Sequence, residues 1–327
     1  MAPSETGSDP ILTVNAVEKS FGGIQALNGM SFELDEGEIT GLIGPNGAGK
    51  TTIFNIIGGQ YLPDSGDIRY RGQSIYDMMG PDREEYTAMI GTSGLTAALF
   101  GFGVGLSTMT TPIDVGVVSL VAAGAGAALY PAQDKLRSKL GTHQKSRPYQ
   151  LSRKGISRTF QITRDFSEMT VLENLLIPPH GQTGENLVTR WMRPRTVAKE
   201  TEELKKQAYK TLEFLELDSL VDERAGNLSG GQRKLLELGR VLMTEPDLIL
   251  LDEPVAGVNP TLMNKLLDRI ESLRDDGYTF CIIEHDMDVI MDLSDRIIVM
   301  NNGKKLMEGQ PEDVTESEAV IDAYLGQ

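Results

Sequence analysis

Apolar residues fall into a few short runs along the chain, and each run ends in a different way. Glu38 to Ile43 is mostly apolar and predicts a short strand; it leads directly into a glycine-rich stretch, and "TIFNIIGG" beyond that can continue as a helix. Leu248 to Leu251 is an unbroken apolar run ending at Asp252 and Glu253, the pattern of a parallel strand buried on both faces. Phe280 to Ile283 is a similar strand, followed by "EHD". "KETEELKKQAYKTLEFLEL" has helical spacing, and "GDIRYRG" predicts an antiparallel edge. One region departs from this pattern. Tyr86 to Ile113 and Val115 to Gln133 carry no charged residue, and only Asp114 separates them. A bilayer core about 30 Å thick needs about 20 helical residues. The first run is long enough and the second is marginal, and "TTPID" between them suggests a helical hairpin.

The glycine-rich stretch carries the strongest chemistry. Gly44, four further residues (Pro45, Asn46, Gly47 and Ala48), then Gly49, Lys50 and Thr51 match G-x-x-x-x-G-K-[ST] between a strand and a helix. Such glycines let backbone N–H groups turn inward around phosphate oxygens, and the helix N-terminus adds a favourable dipole. Lys50 can reach the β- and γ-phosphates of a nucleotide, and the Thr51 hydroxyl can hold Mg²⁺. Thr52 completes "GKTT". Asp252 and Glu253 stand at the carboxyl end of an apolar strand, where open α/β sheets place their sites. Asp252 suits a Mg²⁺ partner through water, and Glu253 can act as general base on the attacking water.

Composition narrows the partners. Lys and Arg number 31 against 47 Asp and Glu, a net charge of −16 over 327 residues. So acidic a surface repels nucleic acid. It suits a salt-rich cytosol, where screening tames the repulsion, or an ordinary acidic soluble protein. One cysteine, Cys281, can form no internal disulfide, and three histidines with one cysteine give no metal-ligand spacing. The first ten residues are polar and small and predict a loose tail.

"FGG", "GPNGAGKTT", "SRTFQ", "LSGGQ", "LILLDEP" and "IIEHD" occur in the order found in ATP-binding-cassette (ABC) ATPases. The chain resembles that family over nearly all of its length except one insert. The resemblance implies an α/β phosphate-loop core with a mixed sheet, an antiparallel β subdomain and a helical subdomain, the insert adding the apolar hairpin. It implies ATP and Mg²⁺ as cofactors. Phe21 stands where the family places an aromatic ring against adenine, more often a Tyr. Gln161 matches the glutamine that touches Mg²⁺ and the attacking water, and His285 the histidine that contacts the γ-phosphate. Ser229, Gly230, Gly231 and Gln232 form the signature, a helix start that the family presents to the γ-phosphate on a second subunit. One phosphate loop and one signature cannot complete a site alone, so a dimer is implied. Asn259 stands where the family commonly has Asp.

"GISRTFQITRDFSEMTVLENLLI" and the terminal "AVIDAYLGQ" resemble the ATP-binding subunit of branched-chain amino acid importers. Related cassettes serve urea or amide import and lipopolysaccharide export. The implied partners are a second, different cassette, transmembrane permease subunits and, indirectly, a substrate-binding protein. The implied location is the cytoplasmic face of the cell membrane. A soluble ABC protein acting on ribosomes or DNA is the rival class. It is disfavoured by the single cassette, by an insert without heptads and by the acidic charge.

These readings divide the chain into a tail (1–10), a first core part with the phosphate loop (11–79), the apolar insert (80–147), the Q-loop region (148–170), a helical subdomain with the signature (171–240) and a second core part (241–327). No Lys or Arg lies between Arg83 and Lys135, whereas Lys135, Arg137, Lys139, Lys145 and Arg147 come after the second run. That asymmetry puts both hairpin ends on the positive, cytoplasmic side of a bilayer. A hairpin packed against protein, or a stretch without fixed structure, would carry the same apolar runs.

Overall fold

The computed structural model describes residues 10–79, 148–159, 166–179 and 194–325. The apolar insert at 80–147 and Gln161 lie outside the described residues. The named elements all belong to one compact unit, drawn from residues 1–78 and 146–327.

The chain enters through β1 (Leu12–Phe21) and β2 (Ile24–Leu34), continues into β3 (Ile39–Ile43), and loops into α1 (Lys50–Ile57). There follow β4 (Ser65–Tyr70), β5 (Gln73–Ser74) and α2 (Ile75–Met78). After the insert come α3 (Pro148–Ser152), β6 (Ile156–Arg158), α4 (Val171–Leu176), α5 (Pro194–Phe214), α6 (Gly230–Leu242) and β7 (Leu248–Asp252). Then come α7 (Pro260–Asp275), β8 (Thr279–Ile283), α8 (Met287–Leu293), β9 (Arg296–Asn301), β10 (Lys304–Gly309), α9 (Pro311–Thr315) and α10 (Glu318–Leu325).

The strands form two sheets. One is antiparallel, in the order β2-β1-β4-β5; the other is mixed, in the order β10-β9-β3-β8-β7-β6. In the mixed sheet only β10 runs antiparallel, against β9. Every residue of β3, β7 and β8 is buried, as strands covered on both faces require. This is the α/β cassette architecture with a mixed and an antiparallel sheet. The strand expected at Leu248–Leu251 extends one residue further, so Asp252 still pairs in the sheet, opposite Ile283. The antiparallel strand expected at "GDIRYRG" is β4, but it is not an edge: it pairs antiparallel with β1 on one side and with β5 on the other.

The helix expected from Lys199 onward starts earlier, at Pro194. Proline suits a first helical turn, where its missing N–H would have no partner anyway. Polar residues in that turn, Arg195 and Thr196, hid the start from apolar periodicity. Leu212 of α5 and Leu215 just after it, Leu235 and Val241 of α6, and Ile249, Phe280 and Ile282 of the sheet belong to one apolar cluster. The helical layer is therefore fixed to the sheet by a shared core. Tyr70 adds a polar tie between the sheets, donating its hydroxyl to Asp247 at 2.7 Å.

Phe280 sits at the centre of this core with no exposed surface. Phe280→Ala is expected to destabilise the fold by about 3–5 kcal/mol through lost burial and the residual cavity, read from the shift in a urea unfolding midpoint at unchanged slope.

Candidate active site

The site is built at one end of the parallel strands. Leu42 of β3 pairs with Ile283 of β8, and Ile283 with Asp252 of β7. Three loops therefore leave the sheet at one level, carrying Gly44–Gly49, Asp252–Glu253 and Glu284–His285. Carboxyl ends of adjacent parallel strands are where open α/β sheets gather their chemistry.

The first loop closes tightly. Ala48 N–H donates to Pro45 O at 3.1 Å, and Gly303 N–H donates to Ala48 O at 3.0 Å. Gly44, Pro45, Asn46, Gly47, Ala48 and Gly49 make up the loop, and Lys50, Thr51 and Thr52 the first turn of α1. Gly49 has φ of +102°, and a Cβ there would come within 2.5 Å of Ala26 O. Both the backbone conformation and the space demand glycine. Lys50 is buried and folds back over its own loop, its Nζ donating to Gly44 O at 2.5 Å and to Pro45 O at 3.2 Å. Burial pulls its ammonium below the ordinary lysine value, while the charges of Glu253 and Asp252 pull it back up. A cation held among carbonyls at a helix N-terminus is a seat for an anionic group. Tyr324 of α10 reaches the same loop: burial raises its phenol, and a hydrogen bond from the Gly44 amide opposes that rise.

The second loop begins in an ion pair. Asp252 is 1% exposed. Its Oδ2 accepts from Arg158 Nη2 at 2.7 Å. Arg158 also donates through Nη1 to Asn55 Oδ1 at 2.6 Å and lies 5.6 Å from the Phe54 ring centroid. Among the described residues Asp252 Oδ1 has no hydrogen-bond partner. A buried carboxylate oxygen without a partner is costly unless something else satisfies it. Hard-oxygen donors, this carboxylate and the Thr51 hydroxyl, fit Mg²⁺.

Glu253 adopts φ of +51°. A non-glycine residue held in the left-handed region marks stored strain of the kind found at functional sites. Its amide donates to Ile283 O at 2.9 Å, which sets the turn. Its Oε1 lies 2.9 Å from His285 Nε2. A partly exposed carboxylate in contact with an imidazole can take a proton from water and hold the ring in one orientation.

Two further groups of expected residues stand on other elements. Phe21 ends β1 and is 41% exposed. It is no core residue: its ring meets Tyr61 edge-on at 5.4 Å, with the Lys19 ammonium 5.4 Å from its centroid. The signature residues begin α6. Ser229 caps the helix, accepting from Gln232 N–H at 3.3 Å, and Gln232 Oε1 accepts from Ser229 N–H at 2.9 Å. Gly230 opens the helix, and Gly231 packs so closely on α7 that a Cβ would meet Leu262 Cδ1 at 2.5 Å. Asn259, where the family more often has Asp, caps α7 by accepting from Leu262 N–H at 3.1 Å. That cap needs a side-chain oxygen and no charge.

Sequence reasoning missed Arg158, Asn55, Tyr61 and Glu284. Arg158 stands inside "SRTFQ" and Glu284 inside "IIEHD", beside the matching Gln161 and His285. No local pattern names a partner 94 residues away.

A phosphate loop with its lysine, a strand-end carboxylate pair and a histidine at one end of the parallel strands define a nucleotide-hydrolysing α/β protein. The pattern that defines the family described as "ABC transporter" matches residues 27–101 and 124–256. This chain belongs to the ABC transporter family as an ATP-binding cassette; it binds nucleotide and is an ATPase. The "Probable branched-chain amino acid transport ATP-binding protein LivG" of Archaeoglobus fulgidus is 35% identical over 320 residues, covering 97% of this chain and 95% of the relative. The high-affinity branched-chain amino acid transport ATP-binding protein BraF of Pseudomonas aeruginosa is 32% identical, covering 98% of this chain and 99% of the relative. A solved ATP-binding cassette of an ABC transporter, in its ADP conformation, is 31% identical with a TM-score of 0.65, covering 98% of this chain and all of the other.

Arg158→Ala would strand the Asp252 carboxylate in the core without its cation. A loss of about 3–5 kcal/mol is expected, measured by chemical unfolding of the nucleotide-free chain.

Proposed function

We propose that this chain is the ATP-hydrolysing subunit of an importer for branched-chain amino acids. The observation that supports the chemistry best is the Glu253–His285 pair, 2.9 Å apart, at the strand ends beside the phosphate loop. In this reading Lys50 and the amides of Gly44–Thr52 hold the triphosphate. Glu253 takes the proton of the attacking water, and His285 contacts the γ-phosphate and keeps Glu253 in place. Attack is in line with the leaving ADP oxygen. Thr51, Asp252 and Gln161 would hold Mg²⁺, which neutralises developing charge on the phosphates. Phe21 carries the adenine on its exposed ring.

The start of α6, with Ser229 to Gln232, serves the ATP on a second cassette. The chain then works as half of a dimer, and by resemblance the other half is a different cassette. Permease subunits receive the motion, and a substrate-binding protein delivers the solute to them. Two relatives named for branched-chain amino acid transport, aligned over nearly their whole length, support the solute class.

In this reading the chain works peripherally at the cytoplasmic face of the membrane. Among the described residues no helix is long and apolar enough to cross a bilayer. The apolar runs within 80–147 support a membrane-inserting hairpin on sequence pattern alone.

Glu253→Gln is expected to lower ATP turnover by about 10²–10⁴-fold, the usual worth of a general base, while binding of a fluorescent ATP analogue persists. In cells lacking the chain, uptake of labelled leucine should return with the wild type and fail to return with this variant. Unchanged turnover would remove Glu253 from the chemistry, and intact leucine uptake without the chain would assign another solute. For the insert, alkaline extraction of membranes is expected to leave the full chain in the pellet and release a chain lacking 80–147. Release of both would mean that the apolar runs face protein.

A further inference from the structure

Glu284 has no role in the hydrolysis proposed above, yet the residue is only 5% exposed, beside His285. Its Oε1 accepts the Val255 N–H at 3.0 Å, and its Oε2 accepts the His285 N–H at 3.1 Å. The Asp286 amide also donates to it. Burial raises this carboxyl above the ordinary range, the amides of Val255 and His285 draw it down, and the nearby Glu253 charge adds to the rise. One side chain thus clamps two loops, the one after β7 (254–259) and the one after β8 that carries His285.

The first of these loops is anchored at both ends. Glu253 O accepts from Lys234 Nζ of α6 at 3.4 Å. Val255 is buried, and Asn259 caps α7. Leu262, in the first turns of α7, is the residue against which Gly231 of the signature is packed. A path therefore runs from the His285 backbone through the Glu284 carboxylate to Val255, along the 254–259 loop to the Asn259 cap, and through Leu262 of α7 to the start of α6.

We propose that Glu284 is a positioning residue that couples His285 to the 254–259 loop, and through it to the signature that serves the second cassette's ATP. The proposal rests on the reading that His285 faces the γ-phosphate. The chemistry favours a carboxylate here. Two oxygens accept amides from two loops at once, whereas the Gln amide has one accepting atom and would leave either Val255 or His285 unpaired. Amide bonds to an ionised carboxylate are also roughly twice as strong as neutral ones. When the γ-phosphate draws on His285, the peptide that moves is the one Glu284 holds.

The test compares the full wild-type chain with Glu284→Gln and Glu284→Ala. Steady-state ATPase gives kcat and KM, a fluorescent ATP analogue with Mg²⁺ gives Kd, and hydrogen–deuterium exchange is followed over 229–233 and 253–259 with and without Mg·ATP. Glu284→Ala is expected to lower kcat about 10- to 100-fold, as mispositioning of a reacting group does, with Kd within about twofold of wild type. Glu284→Gln should fall between the two. In the wild type, Mg·ATP should slow exchange at 253–259 and 229–233, and in Glu284→Ala that response should vanish although nucleotide still binds. A purely structural role would not remove the response while leaving Kd intact.

Wild-type kcat in both variants would overturn the proposal, and so would a loss of kcat matched by a loss of affinity. Exchange at 253–259 that responds to Mg·ATP in Glu284→Ala as in the wild type, or in neither, would also overturn it. Should Glu284→Ala not fold, Glu284→Gln carries the same comparison with a partial loss expected. A wild type that binds ATP but never hydrolyses it, even assembled with its partner cassette and permease subunits, defeats the ATPase reading, and the exchange comparison still decides the coupling.

Discussion

The parallel register of β3, β8 and β7 sets where every reacting group can stand. Leu42, Ile283 and Asp252 lie level across three neighbouring strands. The phosphate loop, His285 and Glu253 therefore leave the sheet side by side. A slip by one residue would turn every buried side chain of a strand to the other face. All three strands are buried along their whole length, so a slip also has no solvent-facing side to accept it. The site inherits its precision from the core: no loop has to find its neighbours, because the strands have already placed their ends.

That placement brings charge into low-dielectric surroundings, and the molecule meets the cost in a different way at each strand end. Asp252 is matched by the Arg158 guanidinium, which Asn55 and the Phe54 ring hold in turn. Lys50 is matched by carbonyls of its own loop. Glu284 is matched by backbone amides of two loops. Breaking a buried pair costs more than the pair contributes, because one charge is left behind. These matches are therefore more telling as devices of position than as sources of stability. Among the described residues one oxygen of Asp252 has no hydrogen-bond partner, which fits a further ligand at this strand end.

Much of this was legible in the sequence because the chemistry of phosphate binding is local. A loop of fixed length with glycines and a lysine between strand and helix can be read from a dozen residues, and so can an apolar run ending in two acids. The α/β cassette with its mixed and antiparallel sheets was implied by the resemblance that the six ordered motifs carry, not by the apolar runs themselves. Pairings between distant segments were not legible. Arg158 reaches Asp252, and Glu284 reaches Val255, only because β6 lies beside β7 and β7 beside β8. The start of α5 was missed because its first turn is polar, and an apolar period cannot show a boundary there. The exposure of Phe21 depends on how β1 ends beside Tyr61, which no periodicity encodes. Gln161 and the apolar insert fall outside the described residues, so those expectations still rest on sequence pattern.

Glu253 shows how closely geometry and strain are joined here. Its backbone is left-handed, a conformation that a non-glycine residue keeps only when its surroundings overdetermine it. Those surroundings are visible: the amide bonds to Ile283 O, the carbonyl receives Lys234 from α6, and the side chain meets His285. Each partner comes from a different element, namely β8, the signature helix and the loop after β8. A shift in any one of them changes how well the strained turn is held. The residue best placed to act on water is therefore also the residue most sensitive to the arrangement of the helical layer. In the proposed function, where turnover waits for a second cassette, that sensitivity has a physical use. With Glu253 as the proposed general base, hydrolysis would depend on α6 being seated, because Lys234 of α6 helps to hold the Glu253 turn in its strained conformation.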